Sequence, residues 1–289
     1  MTNKRLISSG IAVATLIILG VWFSLFEIRV VPRGSVTERL TAAELAEVVA
    51  PEEGFEVGIV WGDTGKKLVE SGAIDLEQYL NLYGSDLDYL TETVEGGITI
   101  NQENAYFWVN TLWALGLVQR SEVLDEGIMG TQYGEEIGNF ASTGGWTLGT
   151  KDAVELYSSA EIIPLTQEQH AMVMKITDGI YRPCCNNPAS FPDCNHGMAI
   201  LGLVELMVSQ GFSEEEIYEA ALAFNSYWFT DTYVDLAYYF ATEEGTPWSR
   251  VAPQRALSAE FSSASGYMAV KEAIGTVPGA SSQGASCGA

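Results

Sequence analysis

The stretch Ala105-Tyr-Phe-Trp-Val-Asn-Thr-Leu-Trp-Ala-Leu-Gly-Leu-Val118 decides how the rest of the chain is read. It is apolar in nearly every direction around a helical turn, interrupted only by Asn110 and Thr111. A helix that is apolar all round is buried rather than laid on a surface. This one is also shorter than the ~20 residues needed to cross a bilayer. The spacing therefore predicts a central buried helix over 105–118. Asn101, after Ile98-Thr-Ile100, is placed to cap it.

Working outward, helix starts and stops are dense. Thr41-Ala-Ala-Glu44, Thr166-Gln-Glu-Gln169 and Ser213-Glu-Glu-Glu216 are capping boxes, in which a hydroxyl and an acid or amide three residues on satisfy each other's backbone N–H. The first helix stops at Pro51, the second runs to about Tyr181 before Pro183, and the third carries Ile217, Tyr218, Ala221, Leu222, Phe224 and Asn225 at helical spacing. Short helices are expected over 66–70 before Gly72, over 75–83 behind Asp75, and over 85–94. A second strongly apolar helix is read over 197–210, closed by Gly211, with further helices over 231–242 and 254–273. Residues 52–64, with Val57, Ile59 and Val60, supply one short strand or an extended arm. The Gly-, Ser- and Thr-rich stretch 127–150 reads as a loop, on the surface or beside a substrate. Strand alternation is nearly absent. The fold class is therefore all-α, an irregular or orthogonal array of short helices around the 105–118 and 197–210 helices.

The ends set the expected placement. Lys4 and Arg5 precede an uncharged run from Leu6 to Phe26, which matches the length of a transmembrane helix. It ends in bulky Trp22, Phe23, Leu25 and Phe26, unlike a cleavable signal peptide, so it reads as a signal anchor. Arg29, Arg33 and Arg39 nearly balance the basic residues on the other side. The basic stretch before the apolar run still favours export of the large domain. The expected organisation is a basic N-terminus over 1–5, an anchor over 6–26, a linker over 27–36 broken by Pro32 and Gly34, an extracytoplasmic domain over 37–274, and a flexible tail over 275–289. The protein is thus expected to be single-pass, with the membrane as its partner through this helix. Formal net charge is −24, and no Lys or Arg falls between Arg182 and Arg250. Such a field excludes nucleic acid as a partner and attracts cations.

Chemistry concentrates in Arg182-Pro-Cys184-Cys185-Asn-Asn-Pro-Ala-Ser-Phe-Pro-Asp-Cys194-Asn-His196-Gly-Met198, between two predicted helices. Cys194 and His196 fall at the second helix's N-terminus, where unpaired N–H groups and the helix dipole favour a thiolate. Pro183, Pro188 and Pro192 restrict the loop. Three thiols and an imidazole form a Cys3His ligand set, Cys184, Cys185, Cys194 and His196. Adjacent cysteines tend to diverge, and the spacing is not that of a zinc finger. Cu(I) and other thiophilic ions accept such irregular sets, with Zn the other candidate. Met174, Met198, His170 and Cys287 are secondary candidates; His170 and Met174 share a helix face, with Met174 the nearer to the cysteines.

Two other readings of the same residues stay open. In an oxidising compartment Cys184 or Cys185 bonds Cys194, stapling two helices, and the protein is a scaffold for a protein partner. A Cys–His pair could alternatively make a thiol enzyme. No G-x-S-x-G, Walker A, H-E-x-x-H, C-x-x-C-H or cysteine-protease signature accompanies them, so a binding role is expected ahead of an enzymatic one. The leading expectation is a membrane-anchored extracytoplasmic protein that binds a thiophilic metal ion for trafficking, sensing or tolerance.

Overall fold

All three capping boxes form. Thr41, Thr166 and Ser213 each accept from the backbone N–H three residues on, and Glu44, Gln169 and Glu216 each reach back to the capping residue. The computed structural model describes residues 40–85 and 87–280. The anchor and linker expected over 6–36, and Cys287, lie outside the described residues. No helix among the described residues is long and apolar enough to cross a membrane.

The described chain is predominantly helical. In order it runs α1 (Ala42–Val49), β1 (Phe55–Val57), α2 (Thr64–Ser71), α3 (Leu76–Tyr83), α4 (Asp88–Thr91), β2 (Ile98–Ile100), α5 (Ala105–Val118), α6 (Glu122–Asp125), α7 (Ile128–Tyr133), a 3-10 turn (Gly134–Asn139), α8 (Ala141–Gly144) and α9 (Ala153–Leu156). There follow α10 (Gln167–Asp178), α11 (Asn195–Ser209), α12 (Glu214–Trp228), α13 (Thr230–Glu243), a 3-10 turn (Trp248–Arg250), α14 (Pro253–Ala256), α15 (Ala259–Ser262) and α16 (Ala264–Ile274). β1 and β2 pair antiparallel, Phe55 opposite Ile100 and Val57 opposite Ile98.

The centre is the pair α5 and α11, the most extensive helix contact among the described residues. Both are buried on almost every side, as their all-round apolar sequences require. They touch through glycine. A methyl at Gly116 would lie 2.1 Å from the Met198 carbonyl oxygen, and one at Gly202 would lie 2.6 Å from that of Leu112. Only backbone against backbone fits there. α10 and α12 pack on α11, while α13 packs on α1 and α16. Trp108 of α5 sits edge-on to Trp61, Tyr89 and Phe107, which ties the N-terminal elements to the central helix.

Several boundaries differ from the sequence reading, each for a local reason. Asn101 does not cap α5 directly; its carboxamide accepts from Glu103 and Asn104 in a turn, and Asn104 stands at the cap position. The helix expected over 85–94 is a single turn, because Val94 exchanges both backbone hydrogen bonds with Gly62. The helix expected to reach Tyr181 stops at Asp178. Ile180 accepts from Ala189 and Tyr181 donates to Leu257, so the chain is drawn off to other partners. The last helix is cut into α14, α15 and α16 by the extended backbone of Ser258 and Ser263. Most of the stretch 127–150 forms short helical turns, over 128–139 and 141–144, and only 145–150 is loop; Ser142 and Thr143 are buried and the Trp113 indole donates to Ser142 O. The start of the expected tail is packed: Val277 is buried and Ala42 N–H donates to Pro278 O.

Candidate functional site

Between α10 and α11 the chain closes a tight loop around one side chain, Arg182. Its guanidinium is fully buried. Nη1 donates to Asn187 O (2.7 Å), and Nη2 donates to Asp193 Oδ1 (2.7 Å) and Phe191 O (3.4 Å). Nε donates to Cys194 Sγ at 3.3 Å. Asn187 in turn donates to the other Asp193 oxygen, so the loop is wound on a cation that is hydrogen-bonded at all three nitrogens. An arginine fits this role because its planar fork offers five donors in fixed directions.

The loop is anchored on three sides. Ser190 Oγ donates to Asp178. Ala264 N–H donates to Cys185 O, and Ser265 N–H to Asn186 Oδ1, which binds it to the start of α16. Ser142 N–H donates to Asp193 O, and Phe191 meets Phe140 and Tyr133, so the stretch 127–150 buttresses it.

This winding brings Cys184, Cys185 and Cys194 together. Their sulfurs all lie within 4.8 Å of one another, and Cys184 Sγ is 3.3 Å from Cys194 Sγ. The adjacent pair does not diverge, contrary to the expectation from their neighbouring positions. All three are free thiols and half-buried. Cys194 is the N-cap of α11, and its sulfur accepts from Gly197 N–H. Gly197 is required there by contact, since a methyl group on it would sit 2.4 Å from the Arg182 guanidinium.

The sulfurs share one set of protons unequally. Hydrogen bonds from Cys184 and then Cys185 pull Cys194 well below the ordinary thiol range, with the Arg182 charge assisting against burial. Cys184 is pushed up by donating to Cys185 and Cys194 and by burial. Cys185 is pushed up to about 12, its bond with Cys184 outweighed by that with Cys194 and by burial. Of the three sulfurs, Cys194 at the helix N-terminus is thus the one whose thiolate the surroundings favour.

His196 does not join this cluster. Its ring packs on Phe229 at 4.4 Å and Trp228 at 5.5 Å, and its buried Nδ1 has no hydrogen-bond partner. Burial lowers its pKa to about 4, so it is neutral. Met198 is fully buried at the glycine crossing of α5 and α11. Met174 is half-buried against the core, and His170 sits near the start of α10, eight residues or about 12 Å of helix from its end. Neither His170 nor any other His, Asp or Glu among the described residues joins the three sulfurs. A separate cavity of about 600 Å³ is lined by Tyr83, Tyr106, Asn110, Trp113 and Trp146 and contains no cysteine-loop residue.

The residues the sequence reading missed are Arg182 and Asp193. One signal was available: Arg182 is the last cation before the long stretch that lacks Lys and Arg, and it stands two residues before the cysteine pair. No protein-family model, curated protein or solved structure matches the chain.

Proposed function

We propose that this protein binds a thiophilic metal ion through Cys184, Cys185 and Cys194, on a helical domain tethered at the outer face of a membrane by residues 6–26. The observation that carries the reading is the mutual approach of the three sulfurs within 4.8 Å. Thiolate-rich sets select soft ions over Mg and Ca. The buried Arg182 scaffold supports it, because it holds the loop closed without using the sulfurs as the staple. His196 is dropped as a ligand in this reading: its ring is committed to Trp228 and Phe229.

The test is metal content and thiol count on purified protein. One thiophilic ion per chain, lost in a Cys185→Ser, Cys194→Ser double variant that stays folded, supports the reading. An oxidised, metal-free and stable protein overturns it.

A second reading is favoured by one distance. Cys184 and Cys194 are already 3.3 Å apart, so oxidation joins them with little movement. The protein is then a stapled helical scaffold presenting a partner-binding surface. The thiol-enzyme reading has less support, since Cys194 receives hydrogen bonds from Arg182 and Gly197 and has no imidazole as a base.

A further inference from the structure

The charge and number of the groups around the sulfurs bear on which thiophilic species fits. Among the described residues the donor set is three sulfurs with no fourth His, Cys, Asp or Glu. A structural zinc ion is satisfied by four ligands in a tetrahedron. Beside the sulfurs lies a second, already neutral unit, the Arg182–Asp193 ion pair. Arg182 therefore supplies no net charge to balance an anionic complex. Three thiolates around a monovalent ion leave a charge of −2, around a divalent ion −1, and around a trivalent centre zero. The cost of holding charge in a poorly solvated place rises steeply with its magnitude. The set that leaves none is a trivalent centre bound to three sulfurs, whose lone pair occupies the fourth direction and needs no ligand.

Resting on the metal-binding reading above, we infer that the species bound at Cys184, Cys185 and Cys194 is a trivalent metalloid hydroxide, arsenous or antimonous acid, captured as a pyramidal three-sulfur complex. The reaction is a condensation. Each As–O bond that breaks is replaced by an As–S bond, and each hydroxyl leaves with a thiol proton as water, three waters in all. Where Cys194 is ionised, the third proton comes from solvent. No electron is transferred, so no oxidant or reductant is needed.

The experiment uses the full-length chain with Cys287→Ser, fully reduced and desalted, titrated separately with sodium arsenite, Zn(II) and Cu(I). Free thiols and intact mass are read at each point. The expected result is one arsenic per chain with all three thiols consumed. Single Cys184→Ser, Cys185→Ser and Cys194→Ser variants should each weaken arsenite binding at least about 100-fold, the loss that follows removing one tethered ligand. X-ray absorption on the arsenite-loaded parent counts the sulfur neighbours of arsenic independently of whether the variants fold; three supports the inference and two overturns it. Zn(II) or Cu(I) held by these cysteines while arsenite consumes two thiols or fewer overturns the metalloid assignment and leaves the metal-binding reading standing. Failure of all three species to bind overturns both.

Discussion

Arg182 Nε lies 3.3 Å from Cys194 Sγ, with the guanidinium fully buried and its other nitrogens occupied by Asn187, Phe191 and Asp193. One residue thereby folds the loop and assists the hydrogen bonds from Cys184 and Cys185 in holding Cys194 below the ordinary thiol range. Removing it should show both effects. Arg182→Met takes the donor from Asp193 Oδ1 and the short hydrogen bond from Asn187 O, and leaves the carboxylate without its cation; breaking a buried pair in this way costs about 3 kcal/mol. Denaturant unfolding should report that loss. The same substitution should raise the Cys194 pKa and slow its alkylation at neutral pH. A variant with unchanged stability and unchanged alkylation would show that the arginine is dispensable.

Glu205 is a carboxyl group buried in the middle of α11. Neither oxygen has a hydrogen-bond partner, and burial holds its pKa well above the carboxylate range, with the nearby Ser121 hydroxyl offsetting this only in part. The folded state therefore keeps a proton that the unfolded chain gives up. Its contribution is fully present below the unfolded carboxylate pKa and is lost as pH rises toward the folded value, with a slope of up to about 1.4 kcal/mol per pH unit. Glu205→Gln should remove this part of the pH dependence and be the more stable protein at pH 8. Parallel unfolding curves at pH 5 and pH 8 decide the matter; the same pH difference in both proteins would contradict it.

Gly116→Ala should separate α5 from α11, because the added methyl meets the Met198 carbonyl at 2.1 Å. Overpacking of this kind costs about 1–3 kcal/mol. Since α11 presents Cys194 at its first cap, ion binding should weaken along with the thermal midpoint. Unchanged stability would mean that the two helices approach less closely than the glycines indicate.

Mild oxidation should join Cys184 to Cys194 before any other pair, because these sulfurs are already in contact. Peptide mapping after a limiting dose of oxidant identifies the bond, which should stabilise the protein by about 2–3 kcal/mol by closing so short a loop. A Cys185–Cys194 bond in its place would contradict the geometry of the cluster.

Protease added to intact cells or spheroplasts should digest the chain beyond about residue 33 if residues 6–26 anchor an exported domain. Protection of the domain would reverse the proposed orientation and make reduced thiols the ordinary state of the cluster.

The sequence by itself determined the elements whose causes are local. Capping boxes at Thr41, Thr166 and Ser213 are decided within four residues, and all three form. The burial of 105–118 follows from its lack of any polar face, and that helix forms over those residues. The cysteine cluster was legible as composition, and its place at the start of α11 as a boundary. Tertiary structure alone decided what depends on distant partners. Whether Cys184 and Cys185 converge on Cys194 is set by Arg182, whose donors gather carbonyls five and nine residues away. Whether His196 faces the sulfurs is set by Trp228 and Phe229, which lie one helix on and claim its ring. A sequence pattern records which groups stand near one another along the chain. Side-chain direction is chosen by the packing that encloses them, and for this site the packing comes from α12, α16 and the buttress of residues 127–150.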